Sequence, residues 1–308
     1  MSVVIVGSIG IDSIKTPFGH VKDVIGGSAV HASMAASFYT QVNLVGVVGK
    51  DFPKMYTKLL EKRGIDLQGL KVEKGKTFRW DGFYEFDMNQ AHSIRTDLNV
   101  YASFKPKVPA TYRSSPFLFL ANIDPDLQKS VLSQMKKPRF IMMDTMNFWI
   151  QNKRDSLLDI LKKVDLVLMN DGEVRELTGI PGLIKAGRKL LSMGVKMLVI
   201  KKGEHGALLL NDGMHFAAPS YPLENVKDPT GAGDSFAGGL VGYLAKTGDL
   251  SQENIRRAVI VGTVMASFNV EDFSLNRMKS LTQKEIVHRF EDLRHISLFE
   301  MLSLSDWV

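Results

Sequence analysis

The segment "DPTGAGDSFAGG", residues 228–239, sets one carboxylate, Asp234, among Gly231, Ala232, Gly233, Gly238 and Gly239, and runs straight into the helix-like "LVGYLAKTGDL". Glycine costs roughly 1 kcal/mol relative to alanine inside a helix, so glycines gathered at a helix start give up stability for another purpose. The first backbone N–H groups of a helix have no intrahelical partner, and with the helix dipole they form an anion site. Glycine and alanine at 231–233 let phosphate oxygens approach that backbone closely. Asp234 falls in the first helical turn, where two readings of it stand open. It satisfies the helix N-terminus, or it accepts a proton from a hydroxyl that attacks phosphorus. For the second role one carboxylate within hydrogen-bond reach of the nucleophile suffices. On that reading the helix dipole is expected to keep Asp234 ionised near neutral pH.

Other chemistries lack their residues. The chain has no cysteine, which excludes disulfides, thiolate metal sites and cysteine nucleophiles. Its seven histidines show no metal-ligand spacing, and no H-E-x-x-H or G-x-S-x-G occurs. "GLKVEKGKT" (69–77) misses the phosphate-loop pattern because position 70 is Leu, and it is read as falling in a β-lid rather than between strand and helix. From Gly231 the dinucleotide fingerprint fails at Phe236. The formal net charge of +6 invites a nucleic-acid reading. However, the basic residues are scattered in short interrupted patches, read as solvated faces, and no nucleic-acid partner is expected. Apolar runs are too short to span a bilayer, so no membrane partner is expected either. "MSVVIVGSIGID" lacks a basic start and reads as a buried strand. Together with the missing cysteine, this agrees with a cytoplasmic protein.

The elements that must position the 228–239 segment follow from hydrophobic patterning. Short runs apolar on both faces occur at 3–7, 42–49, 117–121, 139–144, 165–170 and 196–201, as in a parallel sheet covered on both sides. Helical patterns lie between them at 28–39, 53–64, 125–135, 154–164 and 183–194. A hairpin is expected at Asp212–Gly213, with helices beyond it near 233–246, 252–268 and 282–293. This alternation predicts one α/β domain over 1–308: a doubly wound, mostly parallel sheet flanked by helices. Segments 11–25 and 76–101 break the pattern. They are strand-like, and the second is rich in aromatics, including Trp80, Phe83, Tyr84 and Phe86. They are read as a small β-lid. The apolar tail "HISLFEMLSLSDWV" is expected to dock on the body or on a partner subunit.

With these parts in order, the chain resembles the PfkB family of carbohydrate kinases, the ribokinase-like kinases. "DPTGAGDSFAGG" is similar to the family's second signature, which implies an anion hole at Gly231, Ala232 and Gly233 and a catalytic base at Asp234. "GSIGID" resembles the first strand with its substrate-binding aspartate, here Asp12. "GGSAVHASMAAS" resembles the glycine pair and helix that contact substrate hydroxyls, implying Gly26, Gly27 and His31. His31 stands where the family often has Asn, which leaves the substrate class open. "NDGE" resembles the N-x-x-E motif, implying Asn170 and Glu173, the latter ordering Mg²⁺ through water; capping of the following helix is the other reading. "VIKKGEHGALLL" resembles the nucleotide-side strand and turn, implying Lys201, Gly203 and Gly206, and "ASFNVEDFS" the helix end near adenine, implying Asn269. Asp228 and Thr230 occupy positions that imply a monovalent cation site for K⁺.

The resemblance therefore implies an ATP- and Mg²⁺-dependent transfer of phosphate to the hydroxymethyl group of a nucleoside or sugar. "GGSA" and the lid aromatics lean to a nucleoside; a fructokinase- or ribokinase-type sugar kinase is the alternative, and a non-catalytic binding protein on the same fold a further one. A lid with exposed aromatics also implies a homodimer.

Overall fold

A computed structural model describes residues 1–300, apart from the Met214 side chain. In chain order the strands are β1 (Ser2–Val6), β2 (Gly10–Thr16), β3 (Gly19–Gly26), β4 (Gln41–Gly49), β5 (Ile65–Glu73), β6 (Phe78–Tyr84), β7 (Ala91–Asp97), β8 (Phe117–Leu120), β9 (Phe140–Asp144), β10 (Leu166–Asn170), β11 (Met197–Lys201), β12 (Ala207–Asn211) and β13 (Met214–Ala218). Nine of them form one sheet in the order β13-β12-β11-β10-β9-β8-β1-β4-β5. It is parallel from β5 to β11, and the hairpin of β12 and β13, turned at Asp212–Gly213, adds an antiparallel edge. The doubly wound, mostly parallel sheet expected from the alternating pattern is the one observed.

Alternation along β1 explains the two cores. Val3 and Ile5 face a cluster shared with the helices Ser28–Ala36, Ala232–Thr247 and Gln252–Asn269. Val4 and Val6 face the opposite cluster, built with Val131, Leu157 and Leu190. Because both faces are covered, these strands read as continuous apolar runs. β5 breaks this rule. As the edge strand beside β4 it is half exposed and carries no such run. Segment 69–77, read from sequence as falling in the lid, therefore lies in the main sheet as far as Glu73.

β2, β3, β6 and β7 make a separate four-stranded sheet in the order β3-β2-β6-β7. Its register sets Asp12 opposite Trp80. Of the tail, Leu298 and Phe299 are exposed, and residues 301–308 lie outside the described residues.

The glycines past Asp234 serve helix packing. A Cβ on Gly238 would come within 2.1 Å of the Ala32 carbonyl oxygen, and one on Gly242 within 2.8 Å of the Ala36 Cα. The helix Ala232–Thr247 thus lies backbone to backbone on Ser28–Ala36, carrying the 231–234 turn against His31. Helix propensity alone says that Gly238→Ala should stabilise by about 1 kcal/mol. Overpacking against fixed backbone costs about 1–3 kcal/mol and is expected to win. Thermal denaturation checks the sign: the variant should melt below the parent, and a rise in Tm would refute the close crossing.

Candidate active site

β1 pairs with β4 on one side and β8 on the other, so the chain winds outward in both directions from this point. Open α/β sheets bind ligands beyond the carboxyl ends of strands at such a switch point. Register aligns the chemistry there: Asp144 of β9 lies opposite Leu168, and Lys201 of β11 opposite Asn170. Asp144, Asn170 and Lys201 therefore share one edge.

The 228–234 turn is braced from below. Asp228 is fully buried; its Oδ1 accepts the Thr230 N–H at 2.9 Å and its Oδ2 the Ser274 N–H at 3.2 Å. Gly231 caps the helix Ala232–Thr247 in the left-handed region, with φ of 76°. A Cβ there would lie 2.4 Å from the His31 ring, so only glycine fits both the backbone and the neighbour. The Ala232 N–H is committed to the Pro229 carbonyl at 3.1 Å, a correction to its expected place in the anion hole. The N–H groups of Gly231, Gly233 and Asp234 accordingly have no protein acceptor among the described residues.

Lys201 Nζ lies beneath this turn. It donates to Asp144 Oδ2 at 2.6 Å and sits 3.1 Å from where a Gly233 Cβ would be. Burial works against its charge, but Asp144 and Glu173 outweigh burial and hold its pKa above the usual lysine value. Asn170 and Glu173 form a capping box. Glu173 Oε2 accepts the Asn170 N–H and Oε1 the Asn170 amide, both at 2.8 Å, while Asn170 Oδ1 accepts the Glu173 N–H at 2.7 Å. Burial pushes the Glu173 carboxyl well up, against the pull of Lys201.

Asp234 is half-buried in the cleft, and enclosure pushes it up to about 7, with Asp144 adding and Lys201 opposing. The expectation that the helix dipole keeps it ionised near neutral pH is corrected: desolvation beside a second carboxylate outweighs one helix end.

The neighbouring cleft is lined by Asp12, His31, Phe78, Trp80, Tyr84 and Asp234. Asp12 is 4% exposed, and its Oδ1 is a buried acceptor with no protein partner among the described residues. Gly26 makes room for it, since a Cβ there would fall 1.7 Å from Asp12 Oδ2. Burial first, then Asp228 and Asp234, push Asp12 up to about 7. A buried unpaired acceptor is costly, and a ligand hydroxyl would satisfy it. Gly27 starts the helix Ser28–Ala36 and lines the same cleft.

Among the lid-segment aromatics named from sequence, Trp80 and Tyr84 reach the cleft. Phe83 stacks on His92 instead, and Phe86 is 90% exposed. Gly203 and Gly206 bound the turn from β11 to β12, and Gly206 is packed under the Ala218 carbonyl. Asn269, expected beside adenine, is instead 0% exposed, with its Oδ1 facing His31 and Ser235 and its Nδ2 donating to the Thr230 carbonyl, so it presents no surface to a nucleotide.

Phe78 and Asp144 escaped the sequence reading. Phe78 opens β6 and lines the cleft, and Asp144 ends a strand, which is the signal that marked Asp12.

The site thus brings together a helix start with N–H groups that have no protein acceptor among the described residues, a buried lysine beneath it, and a carboxylate between it and a cleft that holds the unpaired Asp12 Oδ1. Residues 2–281 match the pfkB family of carbohydrate kinases. The chain belongs to that family, whose members transfer phosphate to a hydroxyl of a sugar or nucleoside, and it is a kinase of the PfkB type. It is 30% identical over 249 residues to the cytidine kinase of Thermococcus kodakarensis, covering 79% of this chain and 88% of that one. In structure it is similar to a nucleoside kinase of Methanocaldococcus jannaschii, an archaeal member of the ribokinase family (TM-score 0.77, 21% identity, 94% and 98% coverage). It is also similar to a fructokinase of Vibrio cholerae in a form with fructose, ADP and calcium bound (TM-score 0.76, 17% identity, 94% and 98% coverage). Use of ATP and Mg²⁺ is implied by the family. Among the described residues no helix is long and apolar enough to cross a membrane.

Proposed function

We propose that this kinase phosphorylates the hydroxymethyl group of a nucleoside with ATP as donor, a sugar of the fructokinase or ribokinase type being the alternative acceptor. One observation carries the choice: the cleft that holds Asp234 and Asp12 is also lined by the aromatic side chains of Phe78, Trp80 and Tyr84. A base stacked on such a face gains about 1 kcal/mol, and a free sugar offers no base. The relative named a cytidine kinase supports the same choice.

In this reading Asp12 and His31 accept hydrogen bonds from ring hydroxyls, and Gly26 and Gly27 shape the wall behind them. Asp234 takes the proton of the attacking hydroxyl, and the hydroxyl oxygen bonds to the γ-phosphorus as the bond from phosphorus to the ADP oxygen breaks. The N–H groups of Gly231 and Gly233, with Lys201, take up the charge of the migrating phosphoryl group. Mg²⁺ supplies further neutralisation of the ATP phosphates. Each Glu173 oxygen keeps a second lone pair that a metal-bound water can use beside Asn170. Gly203 and Gly206 shape a turn on the nucleotide side.

The four-stranded sheet acts as a lid: the Tyr84 hydroxyl lies 3.3 Å from Thr230 Oγ1, so closure brings the acceptor wall onto the phosphate turn and excludes water. Beside Asp228 and Thr230 a monovalent cation such as K⁺ offsets a buried carboxylate that has no ion pair among the described residues. The exposed lid residues Phe86 and Ile94 face a second copy in a homodimer. The protein works in the cytoplasm, with no nucleic-acid or membrane partner.

The test is ADP release across ribonucleosides, deoxyribonucleosides, ribose and fructose. A nucleoside should turn over faster than any free sugar. A panel in which only free sugars react assigns the enzyme to the alternative.

A further inference from the structure

One buried amide joins the two halves of the site. Asn269 ends the helix Gln252–Asn269 and is fully buried. Its Nδ2 donates to the Thr230 carbonyl at 2.8 Å, directly before the phosphate turn. A carbonyl oxygen only accepts, so this contact fixes which end of the amide points where. The Asn269 Oδ1 is therefore the atom that meets His31 Nδ1 at 3.0 Å and Ser235 Oγ at 2.9 Å. Because Oδ1 cannot donate, the proton between it and His31 must sit on Nδ1. Burial holds His31 neutral near pH 7, since its pKa is lowered to about 4. Neutral imidazole carries one proton, so Nε2 is left with a bare lone pair. The ring lies against Gly231 and lines the acceptor cleft, and Nε2 has no protein partner among the described residues.

We propose that Asn269 is a positioning residue that locks His31 in its Nδ1–H tautomer, so that Nε2 acts as an obligate hydrogen-bond acceptor selecting a hydroxyl on the acceptor substrate. Selection by Nε2 rests on the kinase reading above; the tautomer lock does not. Two acceptors, Asp12 Oδ1 and His31 Nε2, then face one cleft and call for a substrate that brings two donors. An acceptor with fluorine or hydrogen in place of the recognised hydroxyl leaves Nε2 unpaired. The same amide holds the Thr230 carbonyl and the Ser235 hydroxyl beside Asp234, so acceptor recognition and the phosphate turn share one fixed point.

The first measurement is long-range ¹H–¹⁵N correlation of the histidine rings of the full chain at pH 7, with the His31 signals identified by their loss in His31→Gln. The expected spectrum has Nδ1 protonated and Nε2 bare, and an Nε2–H or doubly protonated ring overturns the proposal whatever the enzyme phosphorylates. The second uses cytidine and its 2′-deoxy, 3′-deoxy and corresponding fluoro analogues as probes, with ribose and its deoxy analogues measured alongside. The parent should discriminate against loss of one ring hydroxyl by about 10- to 100-fold in kcat/KM. Asn269→Leu should lose most of that preference and raise KM for the acceptor. His31→Gln, whose amide oxygen can still accept, should keep more of the preference than His31→Leu. Unchanged discrimination in a folded Asn269→Leu protein sinks the proposal. Should Asn269→Leu not fold, the parent spectrum and the His31 pair still decide. If sugars alone react, the nucleoside reading fails while the tautomer and the ribose series test the lock independently.

Discussion

Asp234→Asn is expected to lower kcat by roughly 100- to 10,000-fold, the range that one positioned proton acceptor supplies. KM for both substrates should change little, because the amide has the same shape and the phosphate turn keeps its N–H donors. The pH profile is the sharper readout. The base must be ionised to act, and enclosure pushes Asp234 up to about 7. Asp12, also pushed up to about 7, accepts from a substrate hydroxyl more strongly when it is ionised. kcat/KM should therefore rise steeply from the acid side, approaching two-proton dependence, and level off only above about pH 8. In Asp234→Asn the residual rate should keep only the one-proton limb of Asp12. A variant with near-parental kcat would remove Asp234 from the base role.

Stability moves the other way. Both carboxyls bind protons more tightly when folded than at their usual value of 3.8. Between about pH 4 and 7 the folded state thus holds more protons than the unfolded chain, and stability falls as pH rises through that window. Asp234→Asn should consequently melt above the parent at pH 8 and close to it at pH 4.

The second large effect is expected at the other end of the phosphate turn. Lys201→Met removes the cation from Asp144, whose side chain is 5% exposed, across a contact of 2.6 Å. Breaking a buried pair from one side costs about 3–5 kcal/mol, because the remaining charge stays buried without compensation. Denaturant unfolding should report a loss of that size. Replacing both partners, Lys201→Met with Asp144→Leu, should recover most of it, since a buried pair exchanged for apolar groups is often neutral or stabilising. Activity should not follow. Lys201 Nζ lies against Gly233, where the proposed mechanism puts the migrating phosphoryl charge, and the double variant still lacks that cation. Recovered stability with kcat still depressed is the expected pattern. A double variant with parental turnover would confine Lys201 to a structural role.

The division between what was legible and what was not follows particular residues. The strand runs at 3–7 and 196–201 could be read because burial on both faces leaves an unbroken apolar signature. β5 could not, because an edge strand is half wet and its pattern dissolves into ordinary polar sequence. The 228–239 segment announced an anion site through its composition. Nothing in its composition told how far the amides are already used, and Ala232 proved to be tied to Pro229. Asp12 and Asp144 are both strand-associated carboxylates, yet Asp144 acquires meaning only beside Lys201, 57 positions later in the chain.

Local chemistry written along the chain was thus settled before folding: a glycine-rich helix start, a carboxylate within its first turn, apolar periods that build a covered parallel sheet, and family membership carried by motifs in order. Such features depend on neighbours a few residues away, and backbone sterics and periodicity act at that range. The direction of each proton was decided only by the fold. The raised pKa values of Asp12 and Asp234 need desolvation by elements far apart in sequence, and the bare Nε2 of His31 needs an amide 238 positions away. Burial and hydrogen-bond direction are properties of assembled space, and a linear string does not contain them.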